Sequence, residues 1–220
     1  MSNVEMQPLL LYYKLKMIAM EKGFLIVFEG IDGAGKSTQA ETLLKRLQGR
    51  GFDVLYYREP SMGRWGREIK EKALHPDSIT PEEELDLFLR DRKENVEKNL
   101  KPALKRKKIV ILDRYYYSTI AYQGAKGINK ERIKRMNEEF VVEPDLVFIL
   151  DINPKKGLER IKNRGKRDKL FEREEYLVKV RNIFRSFKGR KFIHINTSKP
   201  EEEISKKIEK IVLSIVFDPV

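Results

Sequence analysis

A chain of 220 residues, 40% hydrophobic and 36% charged, is long enough to bury a substantial core and reads as one domain. The absence of cysteine excludes disulfides and thiolate metal sites, and no apolar stretch reaches the roughly 18 residues of a membrane span. A net charge of +12 suits either a nucleic-acid binder or an enzyme of anionic nucleotides, but acids are interleaved with the bases and no basic stripe carries aromatics, so a solvated, ion-rich surface is favoured over a nucleic-acid partner.

Residues 1–22 precede the first core strand as an extension, with Met17 and Met20 as alternative starts. The extension lacks the layout of a secretory signal, so a cytoplasmic protein is expected. Its cluster Leu9-Leu10-Leu11-Tyr12-Tyr13 could pack on the surface or on a partner subunit. Residues 23–220 read as a single domain.

The apolar run Phe24 to Phe28 predicts a strand, and Gly30-Ile31-Asp32-Gly33-Ala34-Gly35-Lys36-Ser37 directly behind it fits GxxxxGK[ST] at every fixed position. Such a loop, followed by a helix over Thr38 to Leu47, wraps backbone N–H groups around phosphate oxygens and aims a helix N-terminus at them. Lys36 would reach the β- and γ-phosphates, and the Ser37 hydroxyl would hold Mg²⁺. A nucleoside triphosphate is the expected ligand; a purely structural glycine turn would not need both the strand and the helix.

Gly49 and Gly51 close that helix, and further apolar runs at Val54–Tyr57, Ile109–Leu112, Leu146–Leu150 and Phe192–Ile195 predict four more strands. Near-continuous hydrophobicity suits strands buried on both faces, hence an α/β chain with a five-stranded parallel sheet between helical layers. Ligands in such sheets gather at the carboxyl ends of the strands. Capping boxes at Thr80-Pro81-Glu82-Glu83 and Ser198-Lys199-Pro200-Glu201 mark two helix starts, the second ahead of the Ile204, Ile208, Ile211, Ile215 series.

After the third strand comes Asp113-Arg114-Tyr115-Tyr116-Tyr117-Ser118-Thr119-Ile120-Ala121-Tyr122-Gln123. Asp113 can hold Mg²⁺ directly or through water, and Arg114 can grip a phosphate bidentately. An exposed ion pair beside a tyrosine-rich packing surface is the plainer alternative.

These two stretches, in this order and separation, resemble the thymidylate kinases, and the resemblance runs from about Phe24 to the final helix. It implies a P-loop NTPase-type three-layer sandwich with a short lid at about residues 155–172, and transfer of the γ-phosphoryl of ATP to thymidine 5′-monophosphate (dTMP). It implies that Gly30 to Thr38 bind ATP, with Thr197 and Ser198 in the loop that seats adenine. On the acceptor side Asp32 would bind the 3′-hydroxyl, Phe88 would stack on thymine, and Arg92 would hydrogen-bond the base. The i, i+4 spacing puts Phe88 and Arg92 on one helix face. Arg114 would hold the acceptor phosphate, Ser118 and Thr119 would lie near the base, and Tyr122 would crowd the sugar 2′ position. Glu59-Pro60 stands where the family has a cis proline, and a homodimer is implied.

Some family members carry an arginine after the P-loop acid; here that position is Gly33. The chain therefore resembles the class with catalytic arginine in the lid, Arg164 first and then Arg160 and Arg167, alongside Lys36 and Arg114. The acceptor is already an ionised phosphate, so no general base is assigned. His75 and His194 lack partners at metal-ligand spacing and read as structural. Another nucleoside monophosphate kinase is disfavoured by Phe88, Arg92 and Tyr122. A guanine-reading switch is disfavoured because Asn129-Lys130-Glu131-Arg132 ends in arginine, and DNA-stimulated ATP turnover would mark a DNA-associated ATPase.

Overall fold

Strands β1 (Phe24–Glu29), β2 (Val54–Arg58), β3 (Ile109–Asp113), β4 (Leu146–Asp151) and β5 (Phe192–Asn196) form one parallel sheet in the order β2-β3-β1-β4-β5. In this computed structural model residues 22–75, 78–162 and 170–217 are described. The three central strands are buried almost throughout, as their apolar runs require. The outer strands β2 and β5 are only partly covered, which corrects the expectation that all five are buried on both faces. An edge strand has one flank without a neighbour.

Every strand runs one residue past its apolar run and ends on a polar side chain: Glu29, Arg58, Asp113, Asp151 or Asn196. The register aligns Asp113 with both Phe28 and Arg58, and Asp151 with Asn196, so the polar ends share one edge of the sheet. That edge is where ligands of parallel sheets bind.

Helix α1 (Lys36–Gly49) follows β1 and buries Ala40, Leu43 and Leu47. Helix α2 (Arg64–Lys72) precedes α3 (Pro81–Asn95), which opens with the predicted capping box: Thr80 Oγ1 accepts from Glu83 N at 3.3 Å and Thr80 N donates to Glu83 Oε2 at 2.8 Å. A π turn, Val96–Leu100, joins α3 to α4 (Lys101–Lys105). Pro102 lacks an N–H and its ring crowds the preceding turn, which the wider turn relieves. Helices α5 (Tyr116–Ala125), α6 (Lys130–Glu138), α7 (Pro154–Lys162), α8 (Leu170–Ser186) and α9 (Glu201–Phe217) complete the layers. No described helix is long and apolar enough to cross a membrane.

The second capping box is not built as expected. Helix α9 starts at Glu201, where Pro200 O accepts from Ile204 N at 3.2 Å. Ser198 lies too far upstream to cap it, and its own N–H turns to Asn196 Oδ1 at 2.9 Å. Ile204 and Ile208 are buried, but Ile215 is exposed and Val212 and Val216 take the inward positions. The Leu9–Tyr13 cluster, Arg164 and Arg167 lie outside the described residues.

Candidate active site

Two cavities open side by side at the polar edge of the sheet. The larger, about 590 Å³, is walled by the loop from Asp32 to Thr38 together with Arg58, Arg114, Arg160, Thr197 and Lys199. Gly30 and Ile31 stand behind this wall: Ile31 is buried, and its carbonyl accepts from Lys36 Nζ at 2.8 Å. Burial pulls the Lys36 ammonium down to about 7, and Arg114 adds to that pull. Gly33 has φ +78°, and a Cβ there would stand 2.2 Å from Gly157 O on α7, so this position has no room for a side chain, arginine included. Arg160 donates to Gly33 O at 3.3 Å and to Thr197 O at 3.0 Å, tying α7 to both the loop and the segment after β5. Thr197 is buried in the wall, whereas Ser198 does not face the cleft.

Ser37 Oγ donates to Asp113 Oδ2 at 2.5 Å, which brings together the two residues expected to hold metal. Asp113 is buried, and its Oδ1 has no partner among the described residues. Arg58 Nε stands 3.8 Å from Asp113 Oδ2. An unpaired buried carboxylate oxygen beside a hydroxyl is the hard-oxygen donor set that suits Mg²⁺. The described residues contain no cluster of three His, Cys, Asp or Glu able to hold a metal, so phosphate oxygens and water would supply the remaining ligands. His194 Nε2 lies 2.9 Å from Phe187 O, and His75 is exposed in a connection; neither lines the two cavities.

The second cavity, about 330 Å³, is lined by all seven residues expected on the acceptor side: Asp32, Phe88, Arg92, Arg114, Ser118, Thr119 and Tyr122. Asp32 and Arg114 line both cavities, and Arg114 Nη2 donates to Asp32 Oδ1. Arg114 has φ +71°, a left-handed turn held by its N–H on Phe28 O at 3.0 Å, and its guanidinium carbon lies 5.2 Å from the Tyr122 ring centroid. Phe88 is half-buried in the wall. Thr119 Oγ1 and Gln123 Oε1 are buried without partners among the described residues. The Glu59–Pro60 bond is cis, and both residues line the cavity.

Arg92 is 1% exposed and does more than face the cavity. Its Nε and Nη2 lie 2.8 and 2.7 Å from Glu59 Oε2, and its Nη1 donates to Asn137 Oδ1 at 2.7 Å. Five guanidinium N–H groups leave donors free for a ligand. The buried side of α3 also supplies Asp91, which accepts from Ser61 N and Oγ at 2.8 and 2.5 Å, and Asn95, which donates to Glu59 Oε1 at 3.1 Å. Burial pushes the Glu59 carboxyl up, against the pull of Arg92.

Sequence reasoning missed Glu59, Asn137, Gln123 and Arg58, and above all Glu29. Glu29 is fully buried, and its Oε1 accepts from Tyr115 N at 2.8 Å and Ser118 N at 3.0 Å, while Ser118 Oγ donates to its Oε2 at 2.5 Å. The last residue of β1 thus caps α5, whose own N-cap, Tyr115, offers no side-chain cap. Burial pushes the Glu29 carboxyl up to about 7. The usable signal was an acid directly after a buried apolar strand. The tyrosines, by contrast, are packing residues: Tyr115 and Tyr116 lie 5.2 Å apart by ring centroid and Tyr116 and Tyr117 4.1 Å, all buried.

A family model described as thymidylate kinase matches residues 28–208. The chain is 46% identical over 199 residues to the thymidylate kinase of Akkermansia muciniphila, covering 90% of this chain and 95% of that protein. It is 45% identical over 188 residues to the thymidylate kinase of Brachyspira hyodysenteriae (85% and 92% covered), and 41% over 192 residues to the probable thymidylate kinase of Archaeoglobus fulgidus (87% and 96%). With a phosphate loop, a shared Asp–Arg junction and a second cavity at the carboxyl edge of a parallel sheet, this chain belongs to the thymidylate kinase family.

Proposed function

We propose that this protein transfers the γ-phosphoryl group of ATP to dTMP, giving dTDP and ADP. The observation that carries the reading is that Asp32 and Arg114, paired with each other, line both cavities, so nucleotides bound in the two would meet phosphate to phosphate. The loop from Asp32 to Thr38, backed by Gly30 and Ile31, would hold the ATP phosphates, with Thr197 on the adenine side; Ser198, turned from the cleft, takes no part. Lys36 would leave the Ile31 carbonyl for the β- and γ-phosphates, whose charge restores its proton.

Ser37 and Asp113 would hold Mg²⁺, which when bound neutralises charge on the β- and γ-phosphoryl oxygens. Arg114 would grip the acceptor phosphate in line with the γ-phosphoryl, and Asp32 would take the 3′-hydroxyl. Phe88 would stack on thymine, while Arg92, Thr119 and Ser118 would border it and Tyr122 would exclude a 2′-hydroxyl. A phosphate nucleophile is already ionised, so positioning and charge stabilisation supply the rate and no base is needed. Closure of a lid at residues 155–172 would bring Arg164 and Arg167 to the γ-phosphoryl, with Arg160 anchoring its stem. A homodimer is proposed on family membership, and light scattering at twice the 26.0 kDa chain mass would bear it out.

The test is product chromatography after mixing protein, ATP and Mg²⁺ with each common nucleoside monophosphate in turn. dTDP should exceed every other diphosphate. Preference for another acceptor, or ATP turnover stimulated by DNA without thymidylate, would overturn the reading.

A further inference from the structure

Glu84 belongs to no phosphate motif, yet it sits half-buried in the first turns of α3, at the wall of the acceptor cavity. Its Oε2 accepts from Gln123 Nε2 at 2.8 Å and from Lys126 Nζ, side chains 39 and 42 residues further along the chain. Gln123 is 2% exposed and lines the same cavity, and its Oε1 is left without a partner among the described residues. One end of this amide is therefore committed and the other, buried at the wall, is unpaired.

An amide presents a donor and an acceptor that exchange places when it flips, and its neighbours decide which one a site meets. A carboxylate can only accept. Glu84 therefore holds the NH₂ group of Gln123 and leaves the carbonyl oxygen for whatever enters the cavity. Lys126, on the same carboxylate oxygen, keeps Glu84 in place.

Resting on the acceptor reading above, we propose that Glu84 is a positioning residue for base choice. By fixing the Gln123 carbonyl as the available group, it selects a pyrimidine whose ring N3 carries hydrogen, as in thymine, against one whose N3 is an acceptor, as in cytosine. With cytosine two acceptors would face each other and the buried carbonyl of Gln123 would still lack a donor. A site built for a hydrogen bond discriminates strongly against a partner unable to make it.

The experiment measures kcat and KM for dTMP and for dCMP, at saturating ATP and Mg²⁺, in wild type, Glu84→Gln and Glu84→Ala, with thermal melts to verify folding. Glutamine at position 84 offers both a donor and an acceptor, and alanine offers neither, so both free the Gln123 amide to turn. The ratio of kcat/KM for dTMP over dCMP should fall about tenfold or more in each variant. KM for dTMP should rise by more than kcat falls. A ratio within about twofold of wild type in a folded variant that still makes dTDP overturns the role of Glu84. Wild type that makes no dTDP overturns the acceptor reading itself, and the wild-type reaction alone decides that.

Discussion

The donor cleft and the acceptor cavity meet at Asp32 and Arg114 but are built in opposite ways. The donor side takes its phosphate-facing wall from one contiguous loop, Asp32 to Thr38, in which backbone groups do most of the holding. The acceptor side collects side chains from the β1–α1 loop, the end of β2, α3, α5 and α8, and locks them to one another through buried polar contacts. A backbone cradle can lose a side chain and keep its shape. An interlocked cavity cannot, so substitutions on the two sides should separate activity from stability differently.

The largest effect is expected at Arg92. Arg92→Ala leaves the 2%-exposed Glu59 without its countercharge, and breaking a buried pair in this way costs roughly 3–5 kcal/mol. The melting temperature should drop by about 10 °C, with acceptor binding lost as well. The double variant Glu59→Gln, Arg92→Met removes both charges of the pair and should regain most of the stability but not the dTMP affinity. Equal melting of single and double variants would show that the pair does not hold the cavity together.

Lys36→Met probes the other side. Loss of one charge-stabilising donor should lower kcat about 10²- to 10³-fold. Stability should hold or rise, because burial has already pulled the ammonium from 10.5 to about 7. A group whose folded pKa is depressed in this way binds its proton better in the unfolded chain, so the native lysine costs stability that methionine does not, in full at and below pH 7 and progressively less as pH rises toward 10.5. A melting temperature well below wild type would place Lys36 among the interlocked residues.

The same contrast governs what could be read before the fold was known. The phosphate loop and the central strands were legible because each is a local pattern: fixed glycines at fixed spacing, or an apolar run buried on both faces. Phe88 and Arg92 could be paired from helical spacing plus the family resemblance. Their anchoring could not, since Glu59 and Asn137 lie 33 and 45 residues from Arg92. Glu29 was silent for the same reason, as it caps a helix 86 to 89 residues away. Local pattern also misled: Ser198 to Glu201 has the spacing of a capping box, but Asn196 turns the chain first and α9 starts later.

Glu29 lets the comparison be sharpened with pH, since it ends the strand that feeds the donor loop and caps the helix that carries the acceptor side chains. Its carboxyl rises from 4.5 unfolded to about 7 folded, through burial, so the folded state binds the proton more tightly. Its contribution to stability is therefore complete below pH 4.5 and is lost as pH rises through 7, by at most roughly 3 kcal/mol. Glu29→Gln, neutral throughout, should show a flatter stability profile between pH 4.5 and 7 in denaturant titrations. Parallel profiles would mean that the carboxyl titrates normally and the link between the two sides carries no buried charge.

A smaller effect is expected at Asp113, which ends β3 on the donor side. Asp113→Asn keeps the shape and can still receive the Ser37 hydroxyl bond, but it removes the charge behind the unpaired Oδ1. Because the amide is nearly isosteric and the loop backbone is untouched, the fold should melt close to wild type. The Mg²⁺ concentration for half-maximal velocity should rise at least about tenfold, as expected when a weaker oxygen donor replaces a carboxylate at or behind a metal. A titration of velocity against Mg²⁺ separates the alternatives. A rise in the half-saturating concentration with kcat recovered at high Mg²⁺ assigns Asp113 to the metal. A fall in kcat that no amount of Mg²⁺ restores would instead assign its charge to Arg58, whose Nε stands 3.8 Å away, and move Asp113 to the interlocked side of the molecule.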